Sequence, residues 1–203
     1  MLDSAASFIT ASAPELRQAL LDLFCRFAYK TGDFTLSSGQ KSTYYINGKP
    51  VTLDPLGALA IGKLILQQLP SNTQAVAGLT LGADPIVSAV SVVSAYEDCP
   101  LPGLIIRKEP KGHGTQAYLE GPQLAAGSAV VVLEDVVTTG ASALKAVERL
   151  QKAGYTVNHV LALVDRQQGG SELYAEHQLN FQTIFTIQDI HARWAELNPE
   201  AKT

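Results

Sequence analysis

Cysteine is nearly absent: Cys25 and Cys99 are the only two in 203 residues. They fit no CxxC or other metal-ligand spacing, so neither a disulfide framework nor a zinc site is expected. Two reduced thiols of a cytosolic protein is the reading that remains. No apolar run reaches the ~18 residues a membrane-spanning helix requires. The opening residues, MLDSAASFITASAPELR, lack the basic start of a secretory signal. Charge is sparse as well. Fifteen Lys and Arg against 19 Asp and Glu leave a net −4, with an isoelectric point of about 5.5. That balance argues against a protein held on nucleic acid or on an anionic membrane by bulk charge. Repeats and low-complexity tracts are missing too, and 46% hydrophobic with 17% charged residues excludes disordered and coiled-coil classes. A chain of this length buries roughly 70% of its unfolded surface, enough to fold without metal or disulfide staples. A cytoplasmic protein of one domain is expected.

What is present is an alternation of helices and strands. Ser12 to Glu15 reads S-x-x-E, a capping box, with Pro14 in the first turn. Leu16, Ala19, Leu20, Leu23, Phe24 and Phe27 follow at helical spacing, and Gly32 is expected to end that helix. Phe34 and Leu36 alternate with polar residues, Ser38 to Lys41 supply turn chemistry, and Tyr44 to Asn47 follow, which predicts a hairpin. Residues 1–50 thus form a small N-terminal hood, and 51–203 the main body of a single domain. In that body Asp54-Pro55 opens a helix to about Leu69, and Ala75 to Leu79 form a strand. A helix over about 84–97, a strand over 103–107 and a buried strand over 129–133 come next. Then follow a helix over about 140–153 closed by Gly154, a strand over 157–164, a strand over 181–187 and a last helix to about Glu196. This order predicts an α/β fold with a mostly parallel central sheet flanked by helices on both faces. Ligands in such folds lie beyond the carboxyl ends of the strands.

One such end is chemically unusual. Val130 to Leu133 run straight into Glu134-Asp135, followed by Val136, Val137, Thr138, Thr139, Gly140, Ala141 and Ser142, and then a helix. Two adjacent carboxylates at the mouth of a buried strand are costly without a cationic or hydroxyl-rich partner. The Thr-Thr-Gly-Ala-Ser stretch has the opposite character: small residues, hydroxyl donors and a helix N-terminus that favours an anion. One side suits a polyol with a divalent cation nearby, the other a phosphate. An ordinary turn with Asp135, Thr139 or Ser142 as caps is the plainer alternative, but it leaves the pairing of acids with a hydroxyl cradle unexplained. Neither a Walker A loop nor a G-x-G-x-x-G fingerprint is present.

Arg107, Lys108 and Lys111 place three of the fifteen cations within five residues, with His113 close behind. Gly112 and Gly114 deny that stretch regular structure and permit hinge-like motion. In an acidic protein such a cluster suits transient clamping of a polyanion; a solvated charge run is the alternative. His113 has no second ligand at metal spacing. Arg166 follows a buried strand, where its fork can grip a planar carboxylate or pair with Asp165 or Glu172. Tyr44 and Tyr45 alternate, so only one of them faces a pocket. His159, His177, His191 and Trp194 are scattered and read as surface or core residues.

VVVLEDVVTTGAS resembles the phosphoribosyl-diphosphate (PRPP) motif of the type I phosphoribosyltransferases, and RKEPKGHG resembles the catalytic loop of their orotate-using branch. DFTLSSGQKSTYYINGK is similar to that branch's substrate hairpin, GLTLGADPI to its diphosphate-side loop, and VDRQQGG to the strand end whose arginine meets orotate. The resemblance implies the type I fold and Mg²⁺-dependent transfer of ribose 5-phosphate from PRPP to orotate, in pyrimidine synthesis. It implies ribose contacts from Glu134 and Asp135 and a 5-phosphate site over 136–142. It assigns the diphosphate to Arg107, Lys108, Lys111 and His113, with Lys108, Lys111, His113 and Asp135 as the catalytic set. Thr138, Tyr45, Ile46 and Arg166 would hold orotate, and Mg²⁺ would be held mainly through PRPP rather than by direct protein ligands. A homodimer with shared active sites is implied, with no nucleic-acid or membrane partner. Ser37 and Gly82 stand where some relatives carry lysine. A transferase for a purine base, or a non-catalytic PRPP sensor, are the rival readings; the basic loop with Arg166 disfavours the first and the net charge the second.

Overall fold

Local rules start most of the helices. The Ser12 amide and hydroxyl both donate to Glu15 Oε2, at 2.8 and 2.6 Å, opening α2 (Ala13–Leu23). Asp54 accepts from the Leu56 and Gly57 amides at 2.9 Å and opens α4 (Pro55–Leu66), with Pro55 in the first turn. Thr186 and Asp189 form a reciprocal box at the start of α8 (Ile187–Leu197). The computed structural model describes residues 2, 4–35, 41–110 and 118–202. Ahead of α2 lies a short helix, α1 (Ala5–Thr10), capped by Ser4.

The first helix does not end at Gly32. Its stripe continues through a π-helical turn, Phe24–Ala28, and Tyr29 already begins β1 (Tyr29–Thr35). Pairing with β2 (Lys41–Ile46) takes over there, Tyr29 opposite Ile46. Gly32 lies inside β1 at φ 146°, where the register shifts between Thr31 and Phe34. The predicted hairpin is therefore present, with a longer first strand. After it come a one-turn helix, α3 (Lys49–Thr52), and α4.

Six strands make the main sheet: β3 (Ala75–Leu79), β4 (Gly103–Ile106), β5 (Leu119–Glu120), β6 (Ala129–Val137), β7 (Thr156–Asp165) and β8 (Asn180–Thr186). Their order is β5-β4-β3-β6-β7-β8, parallel except for the short antiparallel β5. Between them run α5 (Asp84–Tyr96), α6 (Ala141–Lys152) and α7 (Gly170–Glu176). Alternate residues of β6 feed opposite faces. Val131 and Leu133 join a core with Leu20, Phe24, Ile61, Ile65 and Val87; Val130 and Val132 join another with Ala146, Val147, Leu150 and Tyr174. Each such aliphatic side chain, fully buried, contributes roughly 1.5–3 kcal/mol of transfer free energy. Phe8, Leu16 and Tyr29 belong to the first core, so the N-terminal hood is packed onto the sheet layer. No helix among the described residues is long and apolar enough to cross a membrane.

Candidate active site

The strand β6 outlasts its expected end and carries both acids within the sheet. Glu134 is 7% exposed. Its Oε1 accepts from the Asp135 amide at 3.2 Å, while Oε2 is buried with no partner among the described residues. Burial first, and the neighbouring Asp135 second, push its carboxyl well above the ordinary glutamate range. Beyond the acids, Val136 to Ser142 line a cavity of about 90 Å³ with Glu134 and Tyr174. Gly140 turns the chain at φ +84°, and a β-carbon there would stand 3.0–3.1 Å from the Tyr174 ring. Only glycine closes this turn without strain, and it brings the start of α6, with its unpaired amides, against the cavity. The Tyr174 hydroxyl is also buried, without a partner among the described residues.

Asp135 sits between two glycines from other segments. A β-carbon on Gly82 would lie 2.6 Å from Asp135 Oδ1, and one on Gly48 3.3 Å from its β-carbon. The loop before α5 and the turn after β2 therefore close onto this carboxylate only because both lack side chains. A lysine at position 82 would displace Asp135. In the same loop Thr80 Oγ1 donates to Asp84 Oδ2 at 2.8 Å, and Asp84 Oδ1 is buried without a partner among the described residues.

Arg166, 8% exposed, follows β7 and is tied to β6 by its amide, which donates to Val137 O at 2.9 Å. Its Nε donates to the Tyr44 hydroxyl at 3.2 Å, and its guanidinium lies 4.9 Å from the Tyr44 ring centre. Nη2 is buried with no partner among the described residues. Asp165 does not take it, since Asp165 Oδ1 accepts from the Gln167 amide. The alternation of the tyrosines holds, but the ring beside Arg166 is Tyr44. Tyr45, the expected orotate contact, is 43% exposed and lies against Phe34. Ile46 is a core residue paired with Tyr29.

The basic stretch is fastened at its base. The Arg107 amide donates to Tyr118 O at 2.8 Å, and its Nη1 pairs with Glu120 at 3.0 Å. Lys108 is exposed, and its carbonyl accepts from Arg149 Nη2 at 3.0 Å. Lys111, His113 and Ser37 lie outside the described residues. Tyr174 and Arg149 escaped the sequence reading, Gly48 lies inside the quoted hairpin stretch without being singled out, and Tyr44 was weighed only beside Tyr45. Apart from the alternation of the two tyrosines, no motif marks them.

Residues 54–194 match the family described as phosphoribosyl transferase domain. A relative from Nostoc sp. (strain PCC 7120), named orotate phosphoribosyltransferase, is 68% identical over 188 residues, covering 93% of this chain and 91% of the relative. One of the same name from Synechocystis sp. (strain PCC 6803) is 66% identical over 185 residues, covering 91% of this chain and 93% of its own. The crystal structure of Mycobacterium tuberculosis H37Rv orotate phosphoribosyltransferase in complex with PRPP has 30% identity and a TM-score of 0.72, covering 87% of this chain and 99% of that one. Adenine phosphoribosyl transferase from Trypanosoma brucei, at 17% identity and a TM-score of 0.64, covers 86% of this chain and 80% of its own and shares the fold.

Proposed function

This chain belongs to the phosphoribosyltransferases, in their orotate-using branch, and we propose that it joins orotate to the ribose 5-phosphate of PRPP at the carboxyl end of β6. The bond between the anomeric carbon and the diphosphate oxygen breaks, its electrons leaving with diphosphate. The base nitrogen gives up its hydrogen as a proton, bonds the anomeric carbon and gives orotidine 5′-phosphate; the departing diphosphate is the sink for one proton. Bond breaking leaves a ribosyl cation beside a highly charged leaving group, so catalysis is positioning and electrostatic stabilisation.

The cavity at 136–142 receives the 5-phosphate on the Thr138, Thr139 and Ser142 hydroxyls and the first amides of α6. Asp135 accepts from a ribose hydroxyl, and Glu134, whose proton affinity burial raises, turns its orphaned oxygen to the sugar. Both acids flank the developing cation without attacking it. Lys108, with Lys111 and His113, faces the departing diphosphate; Lys108 or His113 hands it a proton. Arg107, paired with Glu120, supports the base of that segment.

The observation that carries the choice of base is Arg166. A buried guanidinium with a free Nη2 requires an anion, and the orotate carboxylate supplies one. A neutral purine leaves that charge unpaired. Among the described residues no three acidic, His or Cys side chains gather as a metal cage. One carboxylate beside a polyphosphate suits Mg²⁺, which prefers substrate phosphates over dedicated protein ligands. Asp135 is the residue placed to share it. When bound, the ion supplies charge neutralisation for the diphosphate.

We further assign a cytoplasmic homodimer. What supports it is the resemblance of residues 107–114 to the catalytic loop of the orotate-using branch, which implies active sites shared between two subunits. The deciding assay follows orotate absorbance after adding PRPP and Mg²⁺, with adenine and hypoxanthine in parallel. Orotate is consumed and the purines are not; turnover of a purine with orotate inert would overturn the assignment.

A further inference from the structure

Helix α6 does two jobs at opposite ends. Its first turn borders the phosphate cavity, and its last turn carries Arg149, eight residues and roughly 12 Å further along the axis. Arg149 Nη1 donates to Arg107 O, and Nη2 donates to Lys108 O at 3.0 Å. The same guanidinium lies 3.9 Å from the centre of the Tyr118 ring. Residues 107–108 lead into the basic segment and Tyr118 leads out of it. One side chain therefore holds both ends. The amide of Arg107 closes the pair onto Tyr118 O.

We infer that Arg149 is a positioning residue for the transfer reaction: it fixes the backbone of Lys108 against the rigid body of α6. The inference rests on the assignment of Lys108 to the leaving group. The geometry suits arginine alone. Two parallel donors in a fixed plane and a flat face for an aromatic ring are properties of a guanidinium; a lysine ammonium can reach the carbonyls but offers neither the planar fork nor the flat face. Placement at the end of α6 favours the cation as well, since the helix terminus is negative. No substrate atom is needed for these contacts. Arg149 acts on the reaction through Lys108.

The test pairs Arg149→Met with Lys108→Ala, singly and together, in the full chain, with Arg149→Lys as the conservative variant. Displacing a catalytic group by an ångström costs up to a hundredfold. Arg149→Met accordingly lowers kcat by about tenfold or more, leaves the orotate KM unchanged, and adds little once Lys108 is gone; Arg149→Lys recovers part of the rate. Amide exchange by mass spectrometry, with no substrate present, supplies the independent arm. Peptides spanning 104–108 and 118–120 exchange faster in Arg149→Met than in the parent, while those of β6 and β7 do not change. Unaltered exchange at 104–108 overturns the clamp whatever the substrate. Fully multiplicative effects of the two substitutions overturn its action through Lys108. A parent enzyme inert toward orotate overturns the functional assignment instead, and the exchange arm still decides the clamp.

Discussion

At the scale of single residues, the site is built from groups left incomplete by the protein itself. Among the described residues Glu134 Oε2, Arg166 Nη2 and the Tyr174 hydroxyl are buried without partners, and an orphaned polar group costs about 1–3 kcal/mol until a ligand satisfies it. Glu134 carries a testable consequence. Its folded-state proton affinity is raised, by burial first and by Asp135 second, with Lys49 opposing. Between the ordinary glutamate pKa of about 4.3 and the higher folded value, the native state binds more protons than the unfolded chain, so stability falls as pH rises through that window. Glu134→Gln removes that loss. The substituted protein melts higher than the parent at pH 7, and the difference closes toward pH 4; a difference that does not change with pH contradicts an uncharged Glu134. Much at this scale was legible in advance: the acid pair, the Thr-Thr-Gly-Ala-Ser stretch and Arg166 stand out by type and position. Tyr44 was not separable from Tyr45, because alternation assigns opposite faces without saying which one meets Arg166. Gly48, Gly82 and Tyr174 gain their roles from contacts between distant segments, which spacing cannot encode.

At the scale of elements, the strong periodic segments follow their sequence closely. Asp54 caps α4, β3 is an unbroken apolar run, and α5, α6 and β7 lie within a residue or two of their expected bounds. The departures have local causes. Gly32 reads as a helix stop but serves a bulge, because strand pairing with β2 begins at Tyr29. The two residues of β5 and the seven of α7 are too short to show a period. β6 runs through Val137, past the expected end at Leu133, and that extension places both acids within the sheet. The turn into α6 is the element on which phosphate binding depends. Gly140→Ala places a β-carbon at a positive φ against Tyr174, a strain of about 1–3 kcal/mol. It raises the PRPP KM by about tenfold or more and leaves the orotate KM nearly unchanged, measured by varying each substrate in turn. A PRPP KM equal to the parent's would remove the turn from the site.

For the whole molecule, the parallel sheet brings three distant stretches to one rim: the end of β6, the end of β7 with Arg166, and the loop before α5. Charge is divided across that rim, carboxylates on the strands and cations on the segment entered at Arg107. The proposed shared dimeric site makes the division testable by mixing chains. Lys108→Ala and Asp135→Asn proteins, each nearly inactive alone, regain activity when unfolded and refolded together, because some of the mixed dimers hold one intact site. No recovery would mean that each subunit works by itself. The central claim, that the carboxyl end of β6 cradles PRPP, is most directly tested by a crystal structure with PRPP and Mg²⁺ bound. The account places the 5-phosphate within hydrogen-bond distance of the Thr139 and Ser142 amides and the ribose hydroxyls on Glu134 and Asp135; a sugar phosphate bound away from those residues would contradict it.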